Sequence, residues 1–315
     1  MIKRGTKAII RPPRSKYNPN NIPTNAEIPE YGNVERISIA FQNSRHDVLF
    51  GSFYAASEPI SPSSCVVYLH GNCSNQLEGR YLVSLFIPVG ISVFCFDFSG
   101  CGCSTGKYVT LGYNEIDDVK CVFDLLRRDF KVEKIMLWGR SMGAAISLMI
   151  LKENYDFVTG AVLDSPYESL VGLFTELGET HAPKYIVKKS IEELKKEIMT
   201  KAKFDISDVN PTDSCEDIHV PVLFIHGVDD RLVKKENSER MFSKIRNKDK
   251  QLKLIPGQKH NDDRPTKVIM DATVFLCKTV GLNIYFSQEQ EETHISQNSN
   301  QHLSDAEDLL ENLSC

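Results

Sequence analysis

In the stretch GRSMG, Ser141 stands between Gly139 and Gly143, where the apolar run KIMLWG gives way to the helix-like run AAISLMI. A serine hydroxyl becomes a nucleophile when a base takes its proton, and that base needs an acidic partner to fix its tautomer. A sharp strand-to-helix turn projects the hydroxyl beyond the end of the strand, and such a turn needs small flanking residues. The chemistry these residues point to is acyl transfer through a covalent intermediate, which requires an acid and a histidine elsewhere in the chain.

Both follow in order. The run VPVLFIHG leads into VDDRLV, which places two carboxylates just past a strand end, and Asp230 is taken over Asp229 as the acid. In the order nucleophile, acid, base that goes with a G-x-S-x-G elbow, only His260, His294 and His302 of the eight histidines qualify. The last two lie in a polar tail. His260 sits in LIPGQKHNDDRP, between the final strand and a helix, where its ring can reach back across the end of a sheet. The developing oxyanion needs N–H donors. One is expected from Met142, directly after the nucleophile. The second is expected from the loop in VVYLHGNCSN, with Asn72 as the donor and Cys73 as the alternate, and with His70 and Gly71 shaping the turn.

Other chemistries fit poorly. In GCGCSTGK the spacing from Gly100 to Gly106 is one residue too long for a phosphate loop, and Tyr108 stands where the metal-binding hydroxyl belongs. Cys101 and Cys103 have no second ligand pair at a metal-site spacing. Neither a metal nor a cofactor is expected. The net charge of −5 over 315 residues gives no reason to expect a nucleic-acid partner.

The elements that must position these groups are legible as alternating runs. RISIAF and VLFGSFYA form an opening pair with hairpin spacing, followed by CVVYLH, ISVFCFDF, KIMLWG, GAVLDS, VPVLFIHG and QLKLIPG. Six of the eight are near-continuous apolar runs, which strands buried on both faces require. A mostly parallel sheet between helices follows, and the fold class is α/β. NEIDDVKCVFDLLRR and AAISLMILKEN carry helical spacing. Residues 168–216 break the alternation. There Val187, Ile191, Leu194 and Ile198 form one helical stripe, so this segment is expected to be a helical lid over the sheet. Its lysines outnumber its glutamates, which allows peripheral contact with an anionic surface.

Residues 1–33 are Pro- and Asn-rich and are expected to form an N-terminal arm. Residues 34–284 are expected to hold the folded domain, and 285–315 an acidic, disordered tail with a short amphipathic end, DAEDLLENL. Nine cysteines without paired spacing suggest reduced thiols and a cytoplasmic setting. The start of the chain lacks the apolar run of a signal peptide. The apolar run YLVSLFIPVGISVFCFDF is interrupted by Pro88 and Gly90, which fits a helix end and a strand better than a membrane span.

Taken together and in this order, HGN, DFSGCGCSTG, GRSMG, HGVDDRLV and KHNDDRP resemble the α/β-hydrolase fold, in the branch of serine aminopeptidase-like, Bem46-like and ABHD-type proteins. The resemblance covers about residues 34–282. It implies an eight-stranded, mostly parallel sheet, a variable helical lid, and a Ser-Asp-His triad on Ser141, Asp230 and His260. The expected activity is hydrolysis of an ester, thioester or amide in a small-molecule or peptide substrate, with an ester or other acyl substrate preferred. The alternatives are an aminopeptidase, with Glu176, Glu179 or Asp205 holding the substrate amine, and a binding protein that kept the fold without the chemistry. The oligomeric state is not legible.

Overall fold

The computed structural model describes residues 2–286. The strands are β1 (Asn25–Ile28), β2 (Gly32–Gln42), β3 (Val48–Tyr54), β4 (Ser64–Leu69), β5 (Ser92–Phe96), β6 (Lys134–Arg140), β7 (Val158–Asp164), β8 (Val222–Gly227) and β9 (Lys250–Ile255). The helices are α1 (Ile2–Ile10), α2 (Leu82–Phe86), α3 (Glu115–Asp129), α4 (Met142–Leu151), α5 (Leu170–Glu179), α6 (Lys184–Ala202), α7 (Glu236–Lys244) and α8 (Thr266–Thr279).

All strands lie in one sheet in the order β1-β2-β3-β5-β4-β6-β7-β8-β9. From β1 to β5 the neighbours pair antiparallel, and from β5 through β4 to β9 they pair parallel. Strands β4, β5 and β8, each flanked by a neighbour on both sides, are buried at every position, as their apolar runs require. Strand β2, next to the edge, is mostly exposed or partly buried, with Val34 its one buried residue.

The sheet has nine strands where eight were expected. The extra one is β1, whose residues NAEI carry no β-branched or aromatic run to announce a strand. It is held by backbone pairing to β2, from Asn25 opposite Glu35 to Ile28 opposite Gly32. The turn between the two strands takes Glu30 and Gly32 into positive φ, a conformation glycine adopts freely. The N-terminal residues also contain α1, which packs against α6.

Helices cover both faces. One apolar layer contains side chains of α3, α4, α6 and α7, and the other those of α2 and α8. All ten residues of α4 are buried, which explains why its sequence is apolar around its whole circumference. In α3, three acidic residues occupy the first turn and two arginines the last, the arrangement that complements the helix dipole. The expected membrane-length run divides into α2, a short turn with Gly90 at φ 79°, and β5. Among the described residues no helix is long and apolar enough to cross a membrane.

Between β7 and β8 the chain makes α5 and α6 in place of a single crossover helix. Val187, Ile191 and Ile198 are buried and Leu194 is half-buried, so the sequence stripe is the inner face of α6. Lys184, Lys188 and Lys189 are exposed, as are Tyr185 and Ile186. His294, His302 and the DAEDLLENL segment lie outside the described residues.

Candidate active site

The sheet order places β5 on one side of β4 and β6 on the other, so the connections after β4 and β6 leave in opposite directions. A crevice opens at the carboxyl ends of such strands, where open α/β sheets bind ligands. The loop Gly71–Asn72 follows β4 and Ser141 follows β6, which brings both to this point.

Ser141 has φ 50° and ψ −111°, a backbone state that costs a non-glycine residue on the order of 1–3 kcal/mol. Its surroundings hold it there. Its N–H donates to the Asp164 carbonyl at 2.7 Å, and its own carbonyl accepts from Ala145 N–H at 3.0 Å. The flanking glycines are required by space. A Cβ at Gly143 would lie 1.9 Å from the Leu69 carbonyl oxygen, and one at Gly139 would lie 2.4 Å from the Gly143 oxygen. Gly143→Ala is therefore expected to cost about 3 kcal/mol or more, because both clashing groups are backbone. Urea unfolding should show the loss directly.

His260 lies in the irregular segment between β9 and α8. Its Nε2 is 3.0 Å from Ser141 Oγ and its Nδ1 is 2.6 Å from Asp230 Oδ2. Of the two adjacent carboxylates, Asp229 is exposed, while Asp230 is buried and makes the bond to the imidazole. The other Asp230 oxygen accepts from the N–H groups of Leu232 and Val233 at 2.9 and 2.8 Å. Burial raises the Asp230 pKa, but the hydrogen bonds from His226 and His260 outweigh it and hold the carboxyl well below the usual carboxylate range.

His226 is a participant the sequence motifs did not single out. It is fully buried at the end of β8. Its Nε2 is 2.8 Å from the Val233 carbonyl and 3.3 Å from Asp230 Oδ2, while its Nδ1 is 2.7 Å from Ser238 Oγ. These partners fit a neutral ring that donates from Nε2 and accepts at Nδ1 from the serine hydroxyl. A histidine inside the apolar run VLFIHG was the available signal.

The loop after β4 is fixed from both sides. His70 Nδ1 donates to the Gly71 carbonyl at 2.7 Å, and its Nε2 accepts from Phe98 N–H at 3.1 Å. Gly71 N–H donates to Glu78 Oε2 at 3.0 Å. Cys73 N–H is taken up by the Asn72 side-chain oxygen at 3.0 Å. The N–H groups of Asn72 and Met142 have no acceptor among the described residues. Burial pushes the Cys73 thiol up to about 11, so it is neutral at physiological pH. No group of three or more His, Cys, Asp or Glu side chains among the described residues is placed to hold a metal.

The sequence profile of the family described as "Serine aminopeptidase, S33" matches residues 60–206 and 210–261, a span that contains every one of these side chains. The chain belongs to the S33 serine aminopeptidase family. It is a hydrolase family with an α/β-hydrolase fold. The uncharacterized protein YfhR of Escherichia coli O157:H7 is 26% identical over 200 residues, which span 62% of this chain and 63% of YfhR, just under two thirds of that relative's length. Among solved structures, the Pyrococcus furiosus esterase Pf2001 superimposes with a TM-score of 0.64 at 22% identity, covering 86% of this chain and 97% of the esterase. The alpha/beta hydrolase domain-containing protein 10 from mouse superimposes with a TM-score of 0.58 at 18% identity, covering 78% of this chain and all of that one. At these identities the two structures establish the fold.

Proposed function

We propose that this S33 family member is a serine hydrolase that cleaves a small-molecule acyl ester or thioester through an acyl-enzyme. The observation that carries the reading is the unbroken chain of contacts from Ser141 Oγ through His260 to Asp230, at 3.0 and 2.6 Å. Asp230, ionised, accepts from His260 Nδ1–H and fixes the tautomer that leaves the Nε2 lone pair facing the serine hydroxyl. Nε2 takes the hydroxyl proton as Oγ attacks the substrate carbonyl. The carbonyl oxygen gains negative charge and accepts from Met142 N–H and Asn72 N–H. His260 then gives its proton to the departing oxygen or sulfur. Water, deprotonated by the same nitrogen, releases the acid from Ser141.

A peptidase that trims amino termini needs a free carboxylate for the substrate's ammonium group. Glu176 pairs with Arg240 at 3.5 Å and accepts from Asn237, while Asp205 caps the short helix at Ile206–Asp208. Glu179 is exposed at the end of α5. The first two carboxylates are already engaged, which favours an acyl substrate over an amine-bearing one. In this reading residues 34–284 form the catalytic domain and α5 and α6 its lid. The test is covalent labelling by a fluorophosphonate probe, compared with the His260→Ala variant. Wild type should label within minutes, and the variant at least about a hundredfold more slowly, the scale of a lost general base. A folded wild-type protein that takes up no probe would refute the reading.

A further inference from the structure

Beyond the groups that meet a substrate, two arginines, Arg140 partly buried and Arg264 buried, converge on the loop that carries His260. Arg140 directly precedes Ser141 in the GRSMG elbow, and its side chain is 19% exposed. Its Nη2 donates to the backbone carbonyls of His260 at 3.1 Å and Asp262 at 3.2 Å. Its Nε lies 3.7 Å from Glu78 Oε1, and the other oxygen of Glu78 accepts Gly71 N–H. One ion pair thus reaches from the histidine loop, past the nucleophile, to the loop that presents Asn72.

Arg264 holds the same loop from the opposite direction. Its Nη1 donates to the Lys259 carbonyl at 2.9 Å, and its Nε and Nη2 engage the Asp164 carboxylate at 2.8–3.1 Å. The Asp164 backbone carbonyl is the group that accepts Ser141 N–H. The two side chains of this second pair are 2% and 6% exposed.

The economy of such an arrangement is instructive. Buried ion pairs are on average no more stabilising than apolar packing of the same volume. What they add is direction, because a planar guanidinium fixes several acceptors at once. Here the acceptors are carbonyls of a segment without regular secondary structure, which has no ladder of its own to place it. The imidazole must stay within hydrogen-bond reach of Ser141, and besides the arginines the loop is held by Asp229 N–H on the Gln258 carbonyl, by Lys259 N–H on the Asp262 carboxylate and by Asp230 on the imidazole itself.

We infer that Arg140 is a positioning residue that locks the His260 loop and the Gly71–Asn72 loop to the nucleophile elbow, through its paired carbonyl contacts and Glu78. The inference rests on the proposed acyl-enzyme function. In it, base and oxyanion donors keep their alignment because one guanidinium spans both loops, with Arg264 and Asp164 as a second brace.

In Arg140 one nitrogen, Nη2, meets both carbonyls while Nε faces Glu78, and Arg140→Lys keeps the charge but has a single nitrogen that cannot serve the His260 loop and Glu78 at once. On a p-nitrophenyl ester, with rates expressed per probe-titrated active site, kcat is expected to fall about 10- to 100-fold, the scale of a misaligned catalytic group. KM should stay within about twofold, and the fluorophosphonate labelling rate should fall in parallel with kcat. Glu78→Gln should reproduce part of the effect, and the double variant should lose less than the product of the two. An unchanged kcat per titrated site in folded Arg140→Lys overturns the inference, whether or not the melting temperature drops. So does a rise in KM with kcat preserved. Wild-type protein that does not label speaks against the hydrolase reading itself and is recognised before any variant is compared. If Arg140→Lys does not fold, Glu78→Gln alone carries the same measurement, with the same outcomes on kcat and KM.

Discussion

Ser141→Ala is expected to remove hydrolysis almost completely, lowering kcat by about 10⁵- to 10⁶-fold, which is roughly 7–8 kcal/mol of transition-state stabilisation. The fold should survive. Among the described residues the Ser141 hydroxyl has one hydrogen-bond partner, His260 Nε2, while the backbone bonds to Asp164 and Ala145 that shape the elbow do not involve the side chain. Any residual turnover would come from the N–H donors of Met142 and Asn72 acting on a substrate held for direct attack by water. The backbone offers a companion result. Alanine inherits the strain of φ 50°, whereas glycine adopts that angle freely, so Ser141→Gly should melt about 2–6 °C above Ser141→Ala. Equal melting temperatures would mean that the elbow is not strained. A Ser141→Ala protein that still hydrolyses esters at the wild-type rate would move the nucleophile elsewhere.

The legible parts of this protein were those in which one residue type does one physical job in a fixed local context. Strands buried on both faces must be apolar throughout, so CVVYL and VLFIHG announced themselves, and the glycines around Ser141 marked a turn with no room for a Cβ. The stripe of Val187, Ile191 and Ile198 marked the inner face of α6 for the same reason. β1 was not legible, because its four residues are ordered by pairing with β2 and not by their own side chains. The arginine clamp was hidden for a related reason. Arg140 bonds backbone carbonyls 120 and 122 residues away, and a carbonyl has no sequence signature. His226 and Asp164 left a weaker trace, a polar residue closing an apolar strand. That trace marks a buried group in need of partners without naming them.

The tautomer of His260 makes Asp230→Asn the sharpest test of the proposed acid. In wild type, Asp230 Oδ2 accepts from His260 Nδ1–H at 2.6 Å, and Oδ1 accepts two backbone N–H groups. An asparagine has one acceptor oxygen, and the two N–H groups of Leu232 and Val233 claim it, which turns its NH₂ toward the imidazole. The ring must then carry its proton on Nε2 and presents a donor to Ser141 Oγ where a base is needed. A loss of about 10⁴ in kcat follows, with KM little changed. The same substitution alters stability in a definite pH window. A carboxyl whose folded-state pKa lies below its unfolded value contributes stability above about pH 4 and loses it as the pH falls further. Wild type should therefore exceed Asp230→Asn in urea midpoint at pH 7, and the gap should narrow below about pH 4. A gap that stays constant down to pH 3 would show that the carboxylate is not held in its charged form by these contacts. A kcat near wild type would show that His260 takes its orientation from another group.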